Sequence, residues 1–133
     1  MRNVAEQWIK RVAKILDVNF DETLQEESAS YDFERLPLVS HETMEQYLHY
    51  LKLTLSFPFP AVYEQETGPF DSVEHQVKVV GIDDFIDDKY GLLCTAREGR
   101  RKRIVALAEL IVAEKDPNYQ YLDDYLSWFS NCR

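Results

Sequence analysis

The densest concentration of ligand-type side chains is the stretch Gly81-Ile82-Asp83-Asp84-Phe85-Ile86-Asp87-Asp88-Lys89-Tyr90-Gly91, with four aspartates in six positions. It lies between the strand-like runs Val77–Val80 and Leu92–Thr95. Neighbouring carboxylates repel one another, so two such pairs on one loop are either fully solvated or await a cation. Calcium suits such a set, because it accepts roughly six to eight oxygen ligands in a flexible shell. The stretch is not an EF-hand. With Asp83 at the first position, Phe85 falls where the next acid belongs, Asp88 where the turn glycine belongs, and Cys94 where the closing glutamate belongs. A cation site must therefore be assembled across loops. The expected strand topology brings Glu109, Asp116 and Asn118 towards the end of the sheet that carries Asp83, Asp84, Asp87 and Asp88.

Other chemistries find less support. No nucleophile is paired with a base, no glycine-rich loop suits a phosphate, and no acid pair marks a cleft, so an enzyme is not expected. Cys94 and Cys132 form neither a disulfide framework nor a zinc spacing. His41 and His49 are too far apart for a metal pair one helical turn apart. The alternative binding feature is basic: Arg97, Arg100, Arg101, Lys102 and Arg103 cluster at one hairpin. Small barrels bind nucleic acid or acidic partners through such tips. Nothing aromatic interleaves this cluster, and pairing of these cations with the acidic loops is the competing structural account.

At 133 residues the chain is expected to form a single domain, 1–133. Lys+Arg 15 against Asp+Glu 24 leaves a net charge of -9. That balance repels nucleic acid and anionic membranes over most of the surface and attracts cations or basic partners. No signal-like opening and no run of membrane-spanning length stands in the sequence, and the reading is cytoplasmic.

The elements that must position the acids follow from periodicity. Asn3 to Leu16 reads as an amphipathic helix on Val4, Trp8, Val12 and Ile15, followed by an acidic linker, so that residues 1–40 form an N-terminal extension. A helix begins at Ser40 or Thr43, where Thr43 and Gln46 have capping-box spacing, and buries Met44, Tyr47, Leu48, Leu51 and Leu55. Phe57-Pro58-Phe59-Pro60 ends it. Four strands follow, over 61–66, 75–82, 90–97 and 100–107, and a last helix runs from Tyr119 to Phe129. The fold class is α+β: a small twisted antiparallel sheet or SH3-like barrel with flanking N-terminal and C-terminal helices.

Several segments together resemble one family. They are Leu55-Ser56-Phe57-Pro58-Phe59-Pro60-Ala61, Val79-Val80-Gly81-Ile82 with its acidic continuation, and Tyr90-Gly91-Leu92-Leu93-Cys94. Arg103-Ile104-Val105-Ala106-Leu107-Ala108-Glu109-Leu110 and Asp124-Tyr125-Leu126-Ser127-Trp128-Phe129-Ser130-Asn131 complete the pattern. It is similar to the small cyanobacterial calcium-binding proteins linked to heterocyst differentiation, over residues 44 to 131, inside a calcium-binding core at 41–131. The resemblance implies a non-EF-hand protein that sequesters cytoplasmic calcium and releases it during differentiation. It implies Asp87, Asp88 and Glu109 as ligands, with Asp83, Asp84, Asp116, Asn118 and Asp124 as further candidates. The family's usual proline before Leu107 is replaced by Ala106, which leaves the backbone ahead of Glu109 less fixed.

Overall fold

The computed structural model describes residues 4–17 and 36–133, with the side chains of the first helix described from Gln7 onward. Most of the acidic linker lies outside the described residues. Helix α1 (Val4–Ile15) buries Ile9, Val12 and Ala13, with Leu16 buried just past its end, and keeps Trp8 and Ile15 only partly covered. The buried face is thus turned by about one residue from the one the spacing suggests.

Helix α2 (His41–Thr54) is capped at Ser40. The Ser40 hydroxyl accepts the Thr43 N–H at 3.2 Å, and the Thr43 hydroxyl accepts the Ser40 N–H at 2.8 Å. The capping box is therefore Ser40 with Thr43, not Thr43 with Gln46, and the helix starts earlier than the later alternative. Met44, Tyr47, Leu48, Leu51 and Leu55 are all buried, as their spacing requires.

The strands are β1 (Phe59–Glu66), β2 (Ser72–Asp87), β3 (Gly91–Glu98) and β4 (Arg101–Ala106), antiparallel and ordered β1-β2-β3-β4. Strand β2 continues through most of the stretch expected to be a loop, and only residues 88–90 turn. Two irregularities absorb the extra length. Val79 faces Ala96 while Gly81 faces Thr95, and from Ile82–Cys94 to Ile86–Leu92 the pairing advances twice as far on β2 as on β3. Bulges of this kind bend the strand and increase its twist. The sheet stays open rather than closing into a barrel. Past β4, after a 3-10 turn at Leu107–Glu109, Ile111 returns to β1 and exchanges two backbone hydrogen bonds with Val62, at 2.9 and 2.7 Å.

Helix α3 (Tyr119–Asn131) packs with α1 and α2 and against the 3-10 turn, while α2 also lies on β2 and β3. Trp128 stacks on Tyr47 at 5.1 Å, and Tyr125 meets Tyr47 edge-on at 5.2 Å. Burying rings of this size stabilises by roughly 1.5–3 kcal/mol each, so α3 is integral to the fold.

Candidate metal centre

The turn after β2 is fixed from within and from behind. Asp87 Oδ1 accepts the N–H groups of Lys89 and Tyr90, each at 2.8 Å. Those donors favour the carboxylate and hold its pKa below the ordinary value. Its other oxygen makes no hydrogen bond among the described residues. Gly91 then takes a φ of 76°, and a Cβ there would stand 2.6 Å from Met44, Tyr125 and Phe129. Only glycine lets the turn sit this close to α2 and α3. Burial keeps the Tyr125 phenol protonated, and its oxygen accepts the Leu92 N–H at 3.0 Å.

Glu109 comes from the 3-10 turn that follows β4. Buried Leu107 anchors the start of the 3-10 turn, and the Leu110 N–H closes it onto the Leu107 carbonyl at 3.3 Å. Glu109, exposed at its end, borders the same open cavity of about 530 Å³ as Asp87. The cavity occupies the seam where β1 and β4 fail to pair. Glu64 of β1 also borders it, and its cross-strand neighbour is another acid, Glu74. Sequence reasoning missed Glu64, because its position on the seam depends on how the sheet curls. Lys102 and Arg103 enter the lining from β4, with Arg103 held by Glu98 at 2.8 Å.

The remaining candidates go elsewhere. Asp88 borders a separate cavity of about 130 Å³ between the turn and the start of α2, which Asp87 also touches. Asp83 caps its own bulge, accepting the Phe85 N–H at 3.0 Å, and Asp84 pairs with Lys52 of α2. Asp116 accepts the Asn118 N–H at 2.8 Å. Asn118 is 2% exposed and spends its side chain on Ser56, accepting the N–H at 2.8 Å and donating to the carbonyl at 3.0 Å. Asp124 is 3% exposed and takes both ends of the Arg11 guanidinium, at 2.7 and 2.9 Å. Asn118 and Asp124 thus serve as fasteners of the helices, away from the seam.

Calcium chemistry suits the seam in kind: its acids are hard oxygen donors, and Asp87 stays ionised. Strand β4 has a neighbour on one side only, so carbonyls on its outer edge lie outside the ladder. Among the described residues, no three acids, histidines or cysteines converge closely enough to hold an ion alone. Carboxylates of the seam would need backbone carbonyls or water to complete a calcium shell. The buried Cys94 thiol is pushed up to about 12 by burial, which leaves it inert as a soft ligand.

Among solved structures, the chain is similar to the crystal structure of Anabaena CcbP, with a TM-score of 0.64 and 19% identity over 98% of this chain and 93% of that one. It is also similar to a structure described as a calcium-binding protein in the calcium-binding form, with a TM-score of 0.59 and 19% identity over 98% and 96% of the two chains. At that identity both likenesses speak for the fold. A comparison with curated proteins finds no match. The family model for calcium binding of the CcbP type matches residues 38–129, well over half of the chain. The chain belongs to the CcbP family of calcium-binding proteins.

Proposed function

We propose that the chain sequesters calcium at the seam between β1 and β4, with Asp87 and Glu109 as its principal carboxylate ligands. The observation that carries this reading is that these two acids, from the ends of different elements, border one open cavity. Glu64 and Asp88 add negative charge beside it, and β4 edge carbonyls with water complete the shell. Asp83, Asp84 and Asp116 contribute through the field rather than by contact. Magnesium demands a near-octahedral shell and gives up its waters reluctantly, so an open, incompletely built site favours calcium. The same openness suits a buffer, which must release its ion as readily as it takes it. Release of cytoplasmic calcium during differentiation is the role that the family resemblance suggests for this chemistry.

Calorimetry on chelator-treated protein tests the reading. A dissociation constant on the order of micromolar is expected, equivalent to about -8 kcal/mol. Asp87→Asn with Glu109→Gln should abolish the tight site, and Asp88→Asn should weaken it. The same charge change at Glu26 and Glu27 should do little. The contrast should persist at ~0.15 M salt, where the Debye length is about 8 Å and diffuse attraction fades. Equal losses from both double variants would assign the binding to overall charge and remove the seam from the proposal.

A further inference from the structure

Three cations stand in a line across the outer face of the sheet. Lys78 of β2 is registered opposite Arg97 of β3, and Arg97 opposite Lys102 of β4. Register partners share a face with their Cβ atoms about 5 Å apart, and like charges so placed destabilise the sheet. All three are exposed, and none has an ion-pair partner among the described residues. The same holds for Arg100 and Arg101 at the hairpin tip. The one acid of this hairpin, Glu98, is committed to Arg103 at 2.8 Å and His75 at 2.6 Å.

Beside the row runs an open groove of about 400 Å³, with Lys78 and Arg97 on its wall and Val62 and Ile111 on its floor. Ile111 is 55% exposed although its backbone is pinned to Val62 by two hydrogen bonds. No aromatic side chain lines the groove.

We propose that this face docks an extended acidic segment of a partner protein, carboxylates on Lys78 and Arg97 and an aliphatic side chain on Val62 and Ile111. The aliphatic floor favours a peptide over a single-stranded nucleic acid, whose bases stack on aromatic platforms. The net charge of -9 opposes any anionic ligand, and opposes a long polyanion most. A long polyanion meets that field along its length, whereas a short acidic segment is screened from it beyond about 8 Å at physiological salt.

The probe is a short labelled glutamate-rich peptide carrying one leucine, titrated into the full chain by fluorescence anisotropy. Lys78→Glu with Arg97→Glu should weaken binding about tenfold or more, and added salt should weaken it in the native chain. Lys14→Glu with Lys115→Glu makes the same charge change elsewhere on the exposed surface and should weaken it far less. Ile111→Ala should cost several-fold with this peptide and nothing with a peptide in which serine replaces the leucine. Equal losses from the two charge-reversed pairs, or indifference to Ile111→Ala, would overturn the proposal. So would tighter binding of a labelled oligothymidylate than of the peptide. Melting curves of each variant establish that the losses come from folded protein.

Discussion

Leu92 donates its amide hydrogen to the hydroxyl of Tyr125 at 3.0 Å, and this buried bond ties α3 to the strand behind the acidic turn. Gly91, the preceding residue, is registered opposite Asp87, so the helix steadies the strand end on which a proposed ligand sits. Tyr125→Phe removes the acceptor and leaves a buried N–H unpaired, which costs about 1–3 kcal/mol. The melting temperature should fall, and calcium affinity should fall with it as the turn loosens. Loss of stability without any change in calorimetric affinity would separate the turn from the site.

Asp124 and Arg11 test a fastener of a different kind. Burial raises the Asp124 pKa, and Arg11 offsets that shift through its hydrogen bonds and charge. Arg11→Ala would leave a buried carboxylate without its partner. Breaking a fully buried pair costs roughly 3–5 kcal/mol, and the part-exposed guanidinium here places the loss at about 2–4. Asp124→Asn removes the buried charge instead and should cost less. The double variant should be more stable than Arg11→Ala alone, which thermal melts of the full cycle would reveal. None of these changes should alter calcium affinity if Asp124 is a fastener. A specific loss of calcium binding in Asp124→Asn would return it to the ligand set.

Helix α2 was legible because its apolar spacing is local: every residue of its stripe from Met44 to Leu55 is buried. The acidic stretch misled for a physical reason. Aspartate is depleted in strands, which hides the β-forming Ile82, Phe85 and Ile86 that carry β2 on to Asp87. The pairing of Asp84 with Lys52 of α2 is tertiary and leaves no mark on local pattern. Asp124 is the clearest case, since its partner Arg11 lies 113 residues away and its chemistry resembles that of a ligand. Glu64 borders the same cavity as Asp87 and Glu109, a meeting of strand edges that alternation along the sequence does not reveal.

Asp87 makes a prediction in acid. Two backbone donors lower its pKa in the folded chain. For a carboxylate of depressed pKa, the stabilising contribution is fully present above the unfolded value, about 3.9. It is lost as pH falls through the lower, folded value. The stability difference between the native chain and Asp87→Asn should therefore shrink over that acid window and hold steady above it. A carboxyl NMR titration should place the Asp87 midpoint below the ordinary aspartate range in calcium-free protein. A midpoint at or above about 3.9 would mean that the turn does not hold the carboxylate as described.

The cation row makes a prediction in which stability and binding move in opposite directions. Arg97 stands between Lys78 and Lys102, so Arg97→Glu replaces two repulsive cross-strand pairs with two attractive ones. Each such pair is worth a few tenths to about 1 kcal/mol. The melting temperature should rise, more at low salt than at ~0.15 M, where surface charges are better screened. Lys78→Glu, at the end of the row, exchanges one pair and should gain less. Lys14→Glu adds the same negative charge to an acidic chain far from the row and should gain nothing. If Arg97→Glu raises stability while acidic-peptide binding collapses, the row is retained at a cost to the fold, as expected of a binding surface. If Arg97→Glu and Lys14→Glu shift melting equally, the three cations do not feel one another, and the electrostatic argument for a docking face fails with them.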